Sequence, residues 1–132
     1  SKAKGGGNVS VLISKQGSKT TLLMQTRDPV LKNEKLRQAI AASLDIPQMV
    51  LATSEGMAHV NNSAVFEGSP YSSAVQKTRY KHDVALARKL LHEAGYKGEK
   101  IVIQANKRAN EPSYPIAVLA QSMMQSAGIN AQ

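Results

Sequence analysis

Residues 36–45 read Leu36-Arg37-Gln38-Ala39-Ile40-Ala41-Ala42-Ser43-Leu44-Asp45, and this stretch decides the fold class. Leu36, Ile40 and Leu44 recur at i, i+4 and i+8, the spacing of one face of an α-helix. Asn33 stands where the first unpaired amides need an acceptor, so a helix is expected over residues 33–44. Asp45 then caps a second helix, whose first turn takes Pro47 because no amide is needed there. Met49 and Val50 face inward in this second helix, which ends near Glu55 and Gly56.

Working outward, Asp83 caps a third helix with Val84, Ala87, Leu90, Leu91 and Ala94 on its apolar face, and Gly95 supplies the left-handed stop. A last helix opens at Ser113 and Pro115, carries the stripe Ile116, Leu119, Met123 and Ala127, and stops at Gly128. Residues 8–14 and 20–26 are β-rich runs separated by a hairpin loop at 15–19. Residues 100–104 form another strand, and Ile129 begins one more. Strand, helix, strand in that order implies a parallel pair with a crossover. The chain is therefore read as α/β, with 1–7 a flexible tail or linker around Gly5, Gly6 and Gly7, and 8–132 a single domain. The end at Gln132 suggests a sheet that continues in a longer protein. Residues 57–82, with Asn61, Asn62, Ser63, Gly68 and Pro70, make a long loop of the kind that is functional or mobile.

Composition narrows the function. The 132 residues hold one Phe and no Trp, so the core is aliphatic. With no Cys there are no disulfides, thiolate nucleophiles or thiolate metal sites. No apolar run approaches the roughly 20 residues that span a bilayer. Ser1, Lys2, Ala3 and Lys4 are followed by glycines rather than an apolar run, so no signal peptide is expected here. The net charge of +8 invites a nucleic-acid reading. Yet residues 38–76 contain no Lys or Arg at all, so the cations flank a neutral-to-acidic centre.

Catalytic and metal motifs are missing. His59, His82 and His92 lack a zinc spacing. No GxSxG elbow is present, and Gly5–Gly7 precede a strand instead of following one and opening a helix. The alternative function is a small basic nucleic-acid-binding domain with a helix-turn-helix at 36–54. A recognition helix must offer cations or amides to bases and phosphates, and residues 46–53 offer only Gln48.

In order and wording, these blocks resemble the family 5 extracellular solute-binding proteins, the receptors of ATP-driven importers for peptides, opines, nickel chelates and related solutes. That family has a strand, a Pro-containing link and a V-R-Q-A-I-A-x-A-I-D-R helix, matched by residues 21–26, Pro29 and residues 36–45. A Gly/Pro-rich loop follows, matched loosely by 56–71. An A-x-x-L-L-x-E-A-G-Y helix is matched closely by 87–96. A strand, a loop and a helix ending in G-I-N are matched by 101–104 and 116–130. The resemblance covers almost everything from residue 20 onward. It departs at Met24-Gln25-Thr26, where an aromatic and an Asn are usual, and at Ile46, where a basic residue is common. Family chains are several times longer, so this one corresponds to part of the second lobe.

The resemblance implies a partial lobe of a periplasmic-binding-protein-like (type II) fold, a mixed sheet flanked by helices. It implies a substrate-binding component of an ABC importer that captures peptides or peptide-like solutes without catalysis. The implied location is periplasmic or extracytoplasmic. The implied partners are the solute, a membrane permease and the missing first lobe, with no nucleic acid, no cofactor and no metal. Ligands of open α/β sheets sit outside the carboxyl ends of strands, which selects the loops after 20–26 and 100–104. The candidate ligand-binding residues are Gln25, Thr26, Asn106, Arg108, Asn110 and Tyr114, with Lys107 beside them and Asn62 and Ser63 in the long loop. Arg108 can hold a carboxylate bidentately, and Tyr114 can stack on the solute or hydrogen-bond to it. Arg37 is assigned to helix packing.

Overall fold

Asn33 both starts the first helix and ties it to the third. The computed structural model describes residues 19–54, 58–61, 63–65, 69–75, 81–108 and 111–132. In α1 (Glu34–Ser43) the Asn33 side-chain oxygen accepts from the amides of Lys35 and Leu36 at 3.0 and 3.4 Å. Its Nδ2 donates to the Ala94 carbonyl at 3.0 Å. Glu34 adds negative charge at the positive end of the helix dipole. In α2 (Ile46–Ser54) the Asp45 Oδ1 accepts from the Gln48 amide at 3.0 Å, as its position ahead of Pro47 requires. In α3 (Val84–Glu93) Asp83 Oδ1 accepts from Leu86 N at 2.8 Å. The last helix, α4 (Ser113–Ala127), ends at Gly128, whose φ of 99° needs a residue without a Cβ. There the Ile129 amide reaches back to Met124 O at 2.9 Å and satisfies a terminal carbonyl.

Two contacts fix the direction of the main helix pair. Asn33 joins the start of α1 to the residue after α3, and the Asp83 amide donates to Ala42 O at 2.8 Å, joining the start of α3 to the end of α1. The two helices are therefore antiparallel. Ala42, Ala87 and Ala127 pack together where α1, α3 and α4 meet, and their small side chains let the backbones come close. The larger core cluster gathers Leu36 and Ile40 from α1 and Leu44 just after it with Met49, Leu91, Ile101, Met124 and Ile129. The aliphatic core expected from the composition is the one formed.

The last helix is rotated from its expected stripe. Ala120, Met124 and Ala127 are buried, whereas Ile116, Leu119 and Met123 pack on the edge of the core half-buried. Of the expected stripe only Ala127 is fully buried; Ala120 and Met124 take the places given to Leu119 and Met123.

The mixed sheet is not present among the described residues; its only sheet pairing is an isolated parallel bridge between Ile101 and Ala131. The amides of Ile101 and Ile103 donate to the carbonyls of Asn130 and Gln132 at 2.9 and 2.7 Å, and Gln132 N returns to Ile101 O at 2.9 Å. The expected parallel sense of the strand–helix–strand unit is thus present, but only as the beginning of a ladder. Residues 20–25 are not a strand either. A strand exists only through its partner's hydrogen bonds, and the expected hairpin partner, 8–14, lies outside the described residues, as do the tail 1–7 and most of the hairpin loop. Leu23 stays 88% exposed, and only Met24 of this segment packs on the core.

Candidate functional site: the loop leading into α4

The rule for strand ends directs attention to residues 104–114. Ser113 Oγ, at the first position of α4, donates to Asn106 O at 3.0 Å and closes the base of the loop. Further out, Glu111 N donates to Arg108 O at 3.4 Å. The Lys107 ammonium lies 5.0 Å from the centre of the Tyr114 ring, within the range of a cation–π contact. Asn106, Lys107, Arg108 and Tyr114 are all exposed. This loop therefore gathers an amide, two cations and a phenol at one end of the Ile101 segment. Asn110 falls outside the described residues.

Gln25 and Thr26 stand at the head of a separate turn. Gln25 Oε1 accepts from Arg27 N at 3.2 Å, and Gln25 O accepts from Asp28 N at 3.1 Å. Asp28 Oδ1 accepts from the amides of Val30 and Leu31 at 2.8 and 3.0 Å. Arg37 donates to the carbonyls of Leu31 and Lys32 at 2.9 and 2.8 Å. Its guanidinium pins the link that enters α1, the structural role expected of it. No hydrogen bond or ring contact joins Gln25 or Thr26 to the loop before α4 among the described residues.

In the long loop, Asn61, Ser63 and Val65 are tied to one another. Asn61 accepts from Ser63 N at 3.0 Å through Oδ1 and donates to Val65 O at 3.1 Å through Nδ2. Ser63 Oγ accepts from Val65 N at 3.0 Å. Lys19 anchors the turn by donating to the carbonyls of Ser63 and Ala64. Ser63, a candidate for the solute, is thereby engaged in shaping its own turn. Asn62 is outside the described residues.

One feature escaped the sequence reading. A cavity of about 330 Å3 opens among the helices, lined by Gln48, His82, Val84, Leu119, Met123 and Ser126. At its side His82 Nδ1 meets Asp45 Oδ2 at 3.3 Å. The Asp45 amide donates to Met123 Sδ at 3.4 Å. His82 is separated from Asp45 by 37 residues, so no local spacing announces the pair. The helix-turn-helix alternative lacks its readers: α2 contains no Lys or Arg, and the residue that caps its start is the acid Asp45.

Comparison with known proteins places this arrangement. The model of the bacterial extracellular solute-binding proteins, family 5, middle part, matches residues 1–132. Among solved structures, the ABC transporter substrate-binding protein CtaP of Listeria monocytogenes superposes with a TM-score of 0.73 at 26% identity, over 83% of this chain and 22% of that one. AgaA from A. tumefaciens R10, solved with agropinic acid, and AppA of Clostridium difficile, described as a candidate peptide-binding protein, superpose with TM-scores of 0.73 and 0.72, each at 22% identity. Each covers 83% of this chain, and this chain covers 22% and 23% of theirs. The chain thus spans less than a quarter of each of these structures and superposes on that part of proteins with a periplasmic-binding-protein-like fold. It belongs to the bacterial extracellular solute-binding proteins of family 5.

Proposed function

We propose that this chain forms part of one lobe of a solute receptor that captures peptides or peptide-like solutes outside the cytoplasmic membrane and passes them to the permease of an ABC importer. The observation that carries the reading is the family match along all 132 residues, supported by the likeness to an ABC transporter substrate-binding protein at 26% identity. The receptor binds its solute without transforming it. Residues 8–132 act as one unit within a larger lobe, whose sheet is completed by chain beyond this segment. A second lobe supplies the opposing contacts, and closure follows from the solute's preference for the shut state. On this side the contacts come from Gln25 and Thr26 and from Asn106, Arg108, Asn110 and Tyr114, with Asn62 from the long loop.

The test uses the full-length protein that contains this chain. Its melting temperature is measured against pools of short peptides and of opines. A ligand that binds only the folded state raises it in a concentration-dependent way. The expected result is a rise with peptides that is reduced in Arg108→Ala. A melting temperature indifferent to every pool would overturn the reading.

A further inference from the structure

We propose that Met123 is an oxidation site, at which a peroxide adds one oxygen to the thioether and thereby loosens the start of α2. The chain contains five methionines. Met49 and Met124 are buried in the core, and Met57 lies outside the described residues. Of the two half-buried ones, Met24 and Met123, it is Met123 that lines the cavity of about 330 Å3 opening among the helices. A methionine becomes a sulfoxide as readily as an oxidant can reach its sulfur, and the cavity supplies that access on α4.

With hydrogen peroxide, a sulfur lone pair attacks one oxygen and the O–O bond breaks. The hydroxide released takes the proton left on the transferred oxygen and becomes water; sulfur loses two electrons and the peroxide gains them. The sulfur of Met123 already has a structural task, because its Sδ accepts from the Asp45 amide at 3.4 Å. In a sulfoxide the acceptor is the added oxygen and no longer the sulfur, so the amide keeps a partner only if Asp45 shifts. Asp45 does not shift alone. Its Oδ1 accepts from Gln48 N, its carbonyl accepts from Met49 N at 2.9 Å, and its Oδ2 meets His82. One oxygen atom placed on α4 is therefore felt in the first turn of α2 and at the residue ahead of the α3 cap. The cavity wall around Met123 also carries the polar side chains of Gln48, His82, Ser122 and Ser126. The added oxygen finds polar neighbours there, whereas the same atom on Met124 would enter the apolar core, so the change at Met123 leaves the rest of the fold standing.

The full-length protein that contains this chain is treated with limiting hydrogen peroxide, and each methionine is followed by mass spectrometry of its peptide fragments. Met123 should gain oxygen severalfold faster than Met49 or Met124. Hydrogen exchange of the oxidised protein should then rise over residues 45–49 by about three- to tenfold, the net value of one hydrogen bond. The amides of Ile101 and Ile103, bonded to Asn130 and Gln132, should keep their rates. A methionine sulfoxide reductase should restore the exchange of 45–49. Met123→Leu, which keeps the volume and removes the oxidisable sulfur, should show no peroxide effect on that segment. Oxidation of Met123 no faster than that of Met124 overturns the proposal. So does an oxidised Met123 with unchanged exchange over 45–49, the same rise in Met123→Leu, or a rise shared by Ile101 and Ile103, which marks general unfolding.

Discussion

Single side chains in this protein often join two elements at once. Asn33 caps α1 and holds the end of α3, and Asp45 caps α2 and meets His82. Glu93 does the same from the last turn of α3, pairing with Lys35 of α1 and lying 4.0 Å from Lys89. The Lys35 ammonium, first by its hydrogen bond and then by its charge, holds the Glu93 carboxyl below its ordinary value, with smaller help from Lys89 and His92. A carboxyl whose folded-state value is depressed adds stability that is complete above its unfolded value and is lost as pH falls through the folded one. Acid melts of the protein should therefore show a stability loss beginning near pH 4.5 and continuing below it, and Glu93→Gln should flatten that part of the curve. The effect will be small and salt-sensitive, because the pair is open to solvent. The caps were legible in the sequence, since Asn or Asp before an apolar period has a local meaning. The second partner of each residue was not, because Ala94 and His82 lie 61 and 37 positions away.

At the scale of elements, the helices were readable and the sheet was not. Asp83 and Gly95 write the start and stop of α3 into neighbouring residues, and Asn33 and Asp45 do so for the starts of α1 and α2. A strand takes its definition from a distant partner, so the β-rich composition of residues 20–26 could not reveal that this segment lacks one among the described residues. The register of α4 was misjudged for a related reason: which of two adjacent stripes is buried depends on the helices opposite. Those helices meet α4 through alanines, and this has an energetic consequence. Ala42 is 6% exposed, and Ala87 and Ala127 are 0% and 1% exposed. Two extra methyl groups at such a crossing force the helices apart, so Ala42→Val should destabilise the protein by about 1–3 kcal/mol in chemical denaturation. The same change at exposed Ala52 of α2 should be within about 0.5 kcal/mol of neutral apart from helix propensity.

Over the whole molecule, the order of the helices agrees with the family resemblance seen in the sequence, while no described contact joins Gln25 or Thr26 to the loop before α4. The chain spans less than a quarter of CtaP, AgaA or AppA. Its backbone shows the same incompleteness. Hydrogen exchange on the 132-residue chain should find the amides of Ile101 and Ile103, which are bonded to Asn130 and Gln132, slower than that of Val102. Val102 has no backbone partner among the described residues, and its side chain is 60% exposed.

The opposite flank of that parallel pair is finished differently. The Ala131 carbonyl, which points away from Ile101, accepts from the side-chain amides of Gln121 and Gln125 at 3.3 and 2.9 Å, and the Ala131 amide turns back to Ile129 O. Two glutamines of α4 thus act as a stopper. An incoming strand would have to evict them to dock at Ala131, whereas the Val102 backbone has no partner to lose among the described residues, so the two flanks of this pair differ in how readily they extend.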